Sequence, residues 1–533
     1  MLSKHNKYLL FAIILLVSVS ACVTYSFRNT YKSANQLIHE TTNVKTNLFL
    51  KSHMKNGDVY ILNDQWTIDT IDNRVIGFGT RYDFNRNQTY KGNIVISIDS
   101  VAIFETNKKL ENTESARIAA LTILTSMDAV VGIMCLTNPK ACFGSCPTFY
   151  INENDNFHYA DAEGFSNAIS PCLEYADIDA LQKTNTKKKD FSITMKNEAL
   201  ETHCLNDVKL LAYPRAENQR VYQTRKNDFY LCENNYELYQ SNSGNEDNTY
   251  LLQKEDRKER FSLADENNLS AKEEILLSFK NVTNANDLGL VLNFRQTLMT
   301  TYFIYSAIGY MGDEVSDIFA GIEKNKDTKA KLDGGLKKEL GDIDIYQWNT
   351  NNSSWEKING FYETGPIAIN RQIIPLKNIS NTKDIKLKLV LNKGLWRMDY
   401  VALTNILKKV TPVEIEANAI LNKGILDQSA LNDLNSDKKR LISMPGSEYK
   451  FNFILPKENT DYELFLYTKG YYLEWMRDQW IKDKDLFKLY QMVNTPKKYL
   501  KDEAKNYKKY ETNMEQEFWN SKIDTKAFSF YEN

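Results

Sequence analysis

Histidine is scarce, with 5 in 533 residues, and His5 lies in a segment expected to be removed, so few side chains remain to act as a general base or metal ligand near neutral pH. Proline (10) and glycine (21) are too few for collagen-like or low-complexity architecture. An excess of either charge is also missing. With 67 basic and 69 acidic side chains the net charge is -2, which argues against a protein held on nucleic acid by a broad basic face. A mean hydropathy of -0.49 leaves no room for a multi-span membrane protein. There is no phosphate-binding G-x-x-x-x-G-K-[ST] loop, no G-x-G-x-x-G opening a helix, no H-E-x-x-H and no G-x-S-x-G. The sequence therefore implies no cofactor and no metal, and a non-catalytic role is favoured. A hydrolase built on paired carboxylates stays open, because among 69 acidic residues some pair will fall about 5–10 Å apart by chance.

What is present begins with an address. Residues 1–7 carry Lys4 and Lys7, an apolar run of about 12 residues follows over 8–19, and Ser20 and Ala21 supply small side chains. A spanning helix needs about 20 apolar residues, so residues 1–21 read as a secretory signal peptide. Val19-Ser20-Ala21-Cys22 resembles the lipobox of bacterial lipoproteins. That resemblance implies cleavage before Cys22 and acylation of its sulfur by a diacylglycerol and further chains such as palmitate. The alternative is ordinary cleavage at Ala21. One acyl chain holds a protein only marginally whereas two or three hold it firmly. By the same resemblance Val23, where Asp would retain a lipoprotein at the inner membrane, implies the outer membrane, with the leaflet undetermined. Polar residues 22–45 read as a tether.

Six further cysteines, Cys135, Cys142, Cys146, Cys172, Cys204 and Cys232, fall within about a hundred residues, and an even number in an exported module suggests disulfides. Six cysteines allow 15 pairings, so only the close pair Cys142 and Cys146 stands out; it would close a small loop around Gly144. The remaining four are possible structural cysteines. A redox dithiol or zinc site is poorly matched, since the spacing is C-x3-C and only His158 and His203 lie nearby.

Along the chain, residues 46–112 read as a small antiparallel β domain, with Asn56-Gly57 as a turn, Ile94, Ile96 and Ile98 alternating with polar or outward positions, and Tyr60 and Trp66 in the core or at its rim. Residues 113–136 read as an apolar buried helix, because a span would place Asp128 in hydrocarbon. Residues 137–280 form a Cys-containing β module, with a polar loop at 240–256. Within it, Cys142-Phe143-Gly144-Ser145-Cys146-Pro147-Thr148-Phe149 is similar to a small bacterial domain family of unknown function. The longer run to Asp161-Ala162-Glu163-Gly164-Phe165 is similar to uncharacterised Bacteroidota lipoproteins; neither brings catalytic residues to carry over. Asn152, Asn154, Asn156 and Glu163 have calcium-loop spacing, but Phe157 occupies the position that needs glycine.

Helical spacing over 290–322 predicts a long helix, or a pair broken near 309–312, within a helical segment 281–340. Residues 341–460, with Ile385, Leu387, Leu389 and Leu391 alternating, read as a jelly-roll-like β-sandwich. Its Trp348, Trp355 and Trp396 are candidates for stacking on sugars. Residues 461–533 read as a strand followed by helices, with Trp475, Arg477 and Trp480 in one of them and a last mixed-charge helix that is a solvated face or a strut. The expected fold is thus α+β, multi-domain and mainly antiparallel β, with several helices. The expected function is that of a lipid-anchored outer-membrane component working by binding or assembly. Its expected partners are the membrane and another envelope protein, and a glycan is the alternative.

Overall fold

The computed structural model describes residues 24–26, 50–106, 110–112 and 147–522, apart from internal positions 55–57, 83–87, 152–159, 182–188, 198–200, 257, 284–286, 316–317, 320–321, 323–334, 363–364, 378–382, 437–438, 444–446, 475–479 and 481–482. The lipobox with Cys22, the Asn56-Gly57 turn, the apolar segment 113–136, Cys135, Cys142, Cys146, Asn152, Asn154, Asn156, His158, Trp475 and Arg477 lie outside the described residues. Strands dominate, and nearly every pairing is antiparallel. Three residues of the expected tether, Thr24–Ser26, are themselves a strand paired with Leu110–Asn112.

Residues 50–106 form a five-stranded sheet in the order Gln88–Ser97, Arg74–Tyr82, Val59–Asp69, Leu50–Met54, Val101–Thr106. Its alternation is the one the sequence predicts: Ile94 and Ile96 are buried and Val95 is exposed, because successive side chains of a strand point to opposite faces. Trp66 is buried in this core, and Tyr60 sits at its rim beneath Arg81.

The remaining strands build two β units, one nested in the other. In the first unit, a sheet in the order Tyr175–Ala180, Tyr462–Glu474, Glu201–Pro214, Val413–Glu416 faces a six-stranded sheet containing Asp190–Lys196, Glu448–Ile454 and Thr148–Ile151. Leu210, Leu464 and Leu466 of one sheet meet Phe149, Ile193 and Phe451 of the other in a single apolar core. Between Pro214 and Val413 the chain leaves to build the inserted unit. There a five-stranded closed barrel (Gln219–Gln223, Phe229–Glu237, Trp396–Val410, Leu288–Gln296, Asn370–Pro375) packs on a six-stranded sheet that includes Lys272–Phe279, Ile385–Asn392, Ile343–Asn349 and Ser354–Phe361. A parallel contact, Gln223 with Gln372, closes the barrel.

This nesting departs from the consecutive modules expected at 137–280 and 341–460. Strand Glu201–Pro214 pairs with Tyr462–Glu474, and Lys272–Phe279 pairs with Ile385–Asn392, so strands from both expected modules share sheets. Hydrophobic patterning defines a strand's faces but not its hydrogen-bonding neighbour, and this long-range pairing left no trace in it. Residues 288–296, inside the expected helical segment, form a strand. All nine of its residues are buried, Leu288, Leu290, Leu292 and Phe294 toward the sheet and Val291 toward the barrel interior. A strand covered on both faces loses its period of two and reads like a buried helix. The helix proper, α1 (Met299–Met311), ends at Gly312, whose positive φ of 57° is a conformation that glycine adopts without a Cβ clash. The polar stretch expected as a loop at 240–256 includes a strand hairpin, Gln240–Ser243 with Glu246–Asp247, at the edge of the sheet.

The C-terminal helices α2 (Leu486–Asn494), α3 (Pro496–Asp502) and α4 (Ala504–Lys522) return to the inserted unit, where Met492, Tyr499, Leu500, Ala504 and Tyr507 join its core. The last helix turns one face to solvent, with Lys505 and Lys509 exposed, and buries Glu511 and Glu515 on another. Glu515 accepts the Leu298 N–H at the start of α1 (2.8 Å) and pairs with Arg397, and Glu511 accepts the Ala264 N–H at 2.6 Å. Its acids bind backbone donors left without intrahelical partners, and Glu515 also meets the positive end of the α1 dipole. Among the described residues no helix is long and apolar enough to cross a membrane.

Candidate functional site

The three tryptophans separate. Trp396 is 1% exposed and packs against Phe294 (5.9 Å between ring centroids) and Tyr362 (6.4 Å), so it is a core residue and no sugar can stack on it. The strand that carries it is covered by the sheet on one side, a burial that composition does not reveal. Trp348 and Trp355 are direct cross-strand partners on the hairpin at the sheet edge, both half-buried, with rings edge-to-face at 5.2 Å. Lys388, held by Glu274 at 2.9 Å, lies 5.4 Å from the Trp355 ring and 5.2 Å from Tyr346. An open depression of about 520 Å³ beside Trp348 is lined also by Thr350, Lys383, Asp384 and Lys386.

A larger cleft, of about 660 Å³, lies where the first unit, the barrel and the helices meet. From the first unit come Ile169, Leu173, Glu174, Tyr175, Asp177 and Ile178; from the barrel side Gln223, Arg225, Gln296, Tyr362 and Gln372; from α1 and α2 Phe303, Ile304, Ala307, Met311, Leu489 and Met492. The helical wall is apolar and rich in methionine, a side chain that adapts its shape to a ligand. The barrel wall is polar and, at one end, cationic. Arg225 pairs with Asp342, and its guanidinium lies 5.2 Å from the Tyr362 ring centroid, while the Lys337 ammonium lies 3.8 Å from the same ring. On the facing wall Glu174 pairs with Arg440 at 3.5 Å.

Asp177 belongs to a buried acid cluster behind that wall. Its carboxylate accepts the N–H groups of Phe165 (3.0 Å) and Ile178 (3.1 Å), yet burial, followed by the charge of Glu163, pushes its pKa up to about 7. Burial and then Asp177 raise Asp179 well above the usual carboxylate range. Glu163, in the run singled out in the sequence, bridges the two units: its side chain accepts the N–H groups of Ile367 (2.6 Å) and Ala368 (3.1 Å), and its own N–H donates to Asp179 at 2.9 Å. Gly365 makes this approach possible. Its φ is +99°, and a Cβ there would sit 2.7 Å from the Glu163 carboxyl carbon.

A second set of charges lies where the barrel meets the first unit, with Glu463 and Arg371 buried. Arg220 grips Glu463 of the first unit through two 2.9 Å hydrogen bonds, Arg215 reaches the same carboxylate at 3.2 Å, and Arg371 binds Glu255. Burial works against the charge of Glu463, but Arg220, with Arg371 and Arg215, holds its carboxyl below the ordinary range.

The described cysteines do not staple the fold to one another. Cys172, Cys204 and Cys232 form no disulfide with one another, and they sit in three different cores. Even numbers and nearness in sequence suggest pairing, but Cys172 lies on a short helical turn and Cys204 on a strand of the first unit, and Cys232 lies on a barrel strand. Burial pushes the Cys232 thiol up to about 12. His203 is fully buried with Nε2 2.7 Å from Glu201 Oε1, on the same strand. Among the described residues no group of three or more His, Cys, Asp or Glu is arranged to hold a metal ion. The cleft residues escape sequence reasoning because they come from separate stretches between 167 and 493; only the helical spacing over 290–322, which supplies one wall, is legible. No family model matches this chain, and no curated protein matches its sequence.

Proposed function

We propose that this chain is an exported lipoprotein, held at a bacterial outer membrane by acyl chains on Cys22, that acts in the cell envelope by binding rather than by catalysis. The observation that carries the binding half is the cleft: its volume of about 660 Å³ falls in the range of small-molecule sites, with an apolar body and a few convergent polar groups. The anchor half rests on the lipobox resemblance and the short apolar run before it. Two experiments test the halves separately. Cys22→Ser should release the chain from the membrane fraction; a variant processed and retained like the parent would refute the anchor. Native mass spectrometry after mild detergent extraction should find a bound small molecule or a near-stoichiometric companion that is lost in Ala307→Trp, which fills the cleft. A parent protein that leaves the membrane carrying neither would refute the binding role.

The Trp348–Trp355 pair supports a second reading, glycan binding on the outer face of the sheet, where half-buried rings stand beside Lys383, Lys386 and Asp384. Tryptophan fluorescence titrated with envelope polysaccharides separates the two. Quenching that persists in Ala307→Trp and disappears in Trp348→Ala favours the glycan; no change in the parent rules it out.

A further inference from the structure

The binding reading leaves open what the cleft holds, and its two ends differ enough to decide. The long wall of Phe303, Ile304, Ala307, Met311, Leu489 and Met492 has no polar side chain and suits a hydrocarbon body. At one end the Arg225 guanidinium and the Lys337 ammonium lie against the Tyr362 ring, at 5.2 and 3.8 Å from its centroid. The facing wall carries Glu174 and Asp177, and Arg225 and Lys337 are the basic side chains among the described residues that line the cleft. This polarity sets both the charge of the head group and the direction in which the ligand lies.

We infer that the cleft takes an amphiphile with a single anionic head, of which a long-chain fatty acid is the simplest member. The head sits by Tyr362 between Arg225 and Lys337, and the chain runs along α1 and α2. Arg225 gives one arm to Asp342, which leaves its remaining N–H groups for the head, and the Lys337 ammonium adds a point charge that can follow it. Methionines on the apolar wall let chains of different length or unsaturation pack without a rigid template. The inference rests on the proposed binding role and names its ligand class.

The test uses the full mature chain carrying Cys22→Ser, so that no detergent competes, and titrates it with decanoate, dodecanoate and tetradecanoate and with the alkanols of the same lengths. Affinity should rise about fourfold per added methylene until the cleft is filled. Each carboxylate should bind at least tenfold more tightly than its alkanol. Lys337→Gln and Arg225→Gln should each weaken the carboxylate about five- to tenfold and leave the alkanol unchanged, whereas Ala307→Trp should abolish both. Equal affinity for carboxylate and alkanol, or charge variants that bind carboxylates like the parent, would overturn the head-group assignment while leaving the binding role intact. If none of these probes binds, the ligand class is wrong; the binding role falls with it only if native mass spectrometry also finds nothing lost in Ala307→Trp.

Discussion

Buried carboxylates of one sheet, facing the junction between the β units, respond to the same burial in opposite ways. In the first unit Asp177 and Asp179 are packed beside each other and Glu163, and burial with mutual repulsion pushes both up, Asp177 to about 7. Glu463, also of the first unit, is buried too, but guanidinium groups reaching it from the barrel side bring it below the ordinary range. Depth therefore decides nothing alone; the nearest charge does. The first set favours folding with its protons on, the second with its protons off.

The largest effect should come from breaking the second set. Glu463→Ala leaves Arg220, Arg215 and Arg371 facing a missing carboxylate, and urea denaturation should show a loss of about 4 kcal/mol. A loss under about 1 kcal/mol would mean that water reaches those arginines. Truncating the apolar core of the first unit comes next: Leu466→Ala, fully buried between the two sheets, should cost about 3 kcal/mol in the same assay. Gly365→Ala probes the bridge between the units; its left-handed backbone and the contact with Glu163 should cost about 2 kcal/mol.

The most diagnostic effect is in pH. Asp177, raised in the folded state, contributes stability fully present below about pH 4 and lost as pH rises toward 7, a slope of at most about 1.4 kcal/mol per pH unit for one proton. Glu463, lowered, contributes stability present above the unfolded carboxyl range and lost as pH falls through its folded value. Asp177→Asn should therefore gain on the parent above pH 7, with the difference closing at pH 4. A variant that follows the parent at every pH would remove the contrast between the two sets.

The sequence made legible those elements whose two faces differ. Ile94 and Ile96, and Ile385 through Leu391, alternate because one side of each strand meets a core and the other does not. The β-rich α+β class follows from such strands. Residues 288–296 were illegible for the opposite reason, being covered on both sides. Charge misled in the same way at the C-terminus, where Glu511 and Glu515 look like solvated residues and instead accept backbone N–H groups. Of the candidate site, the Trp348–Trp355 pairing follows from a hairpin that sequence could suggest, but the cleft depends on which strands become neighbours, and a single chain's patterning does not encode that in readable form.

Nesting one β unit inside another also dictates a timetable during synthesis. Strand Glu201–Pro214 emerges from the ribosome long before its partner Tyr462–Glu474, about 250 residues later. At roughly 5–20 residues per second, that is a wait of about 12–50 s. The guest unit's strands are all made in between and can pair with one another first, while helices α2–α4, which finish its core, emerge only after the host's last strand. Until then the host's apolar edge stands open, which makes a holding chaperone more valuable to this chain than to one whose units follow one another in line.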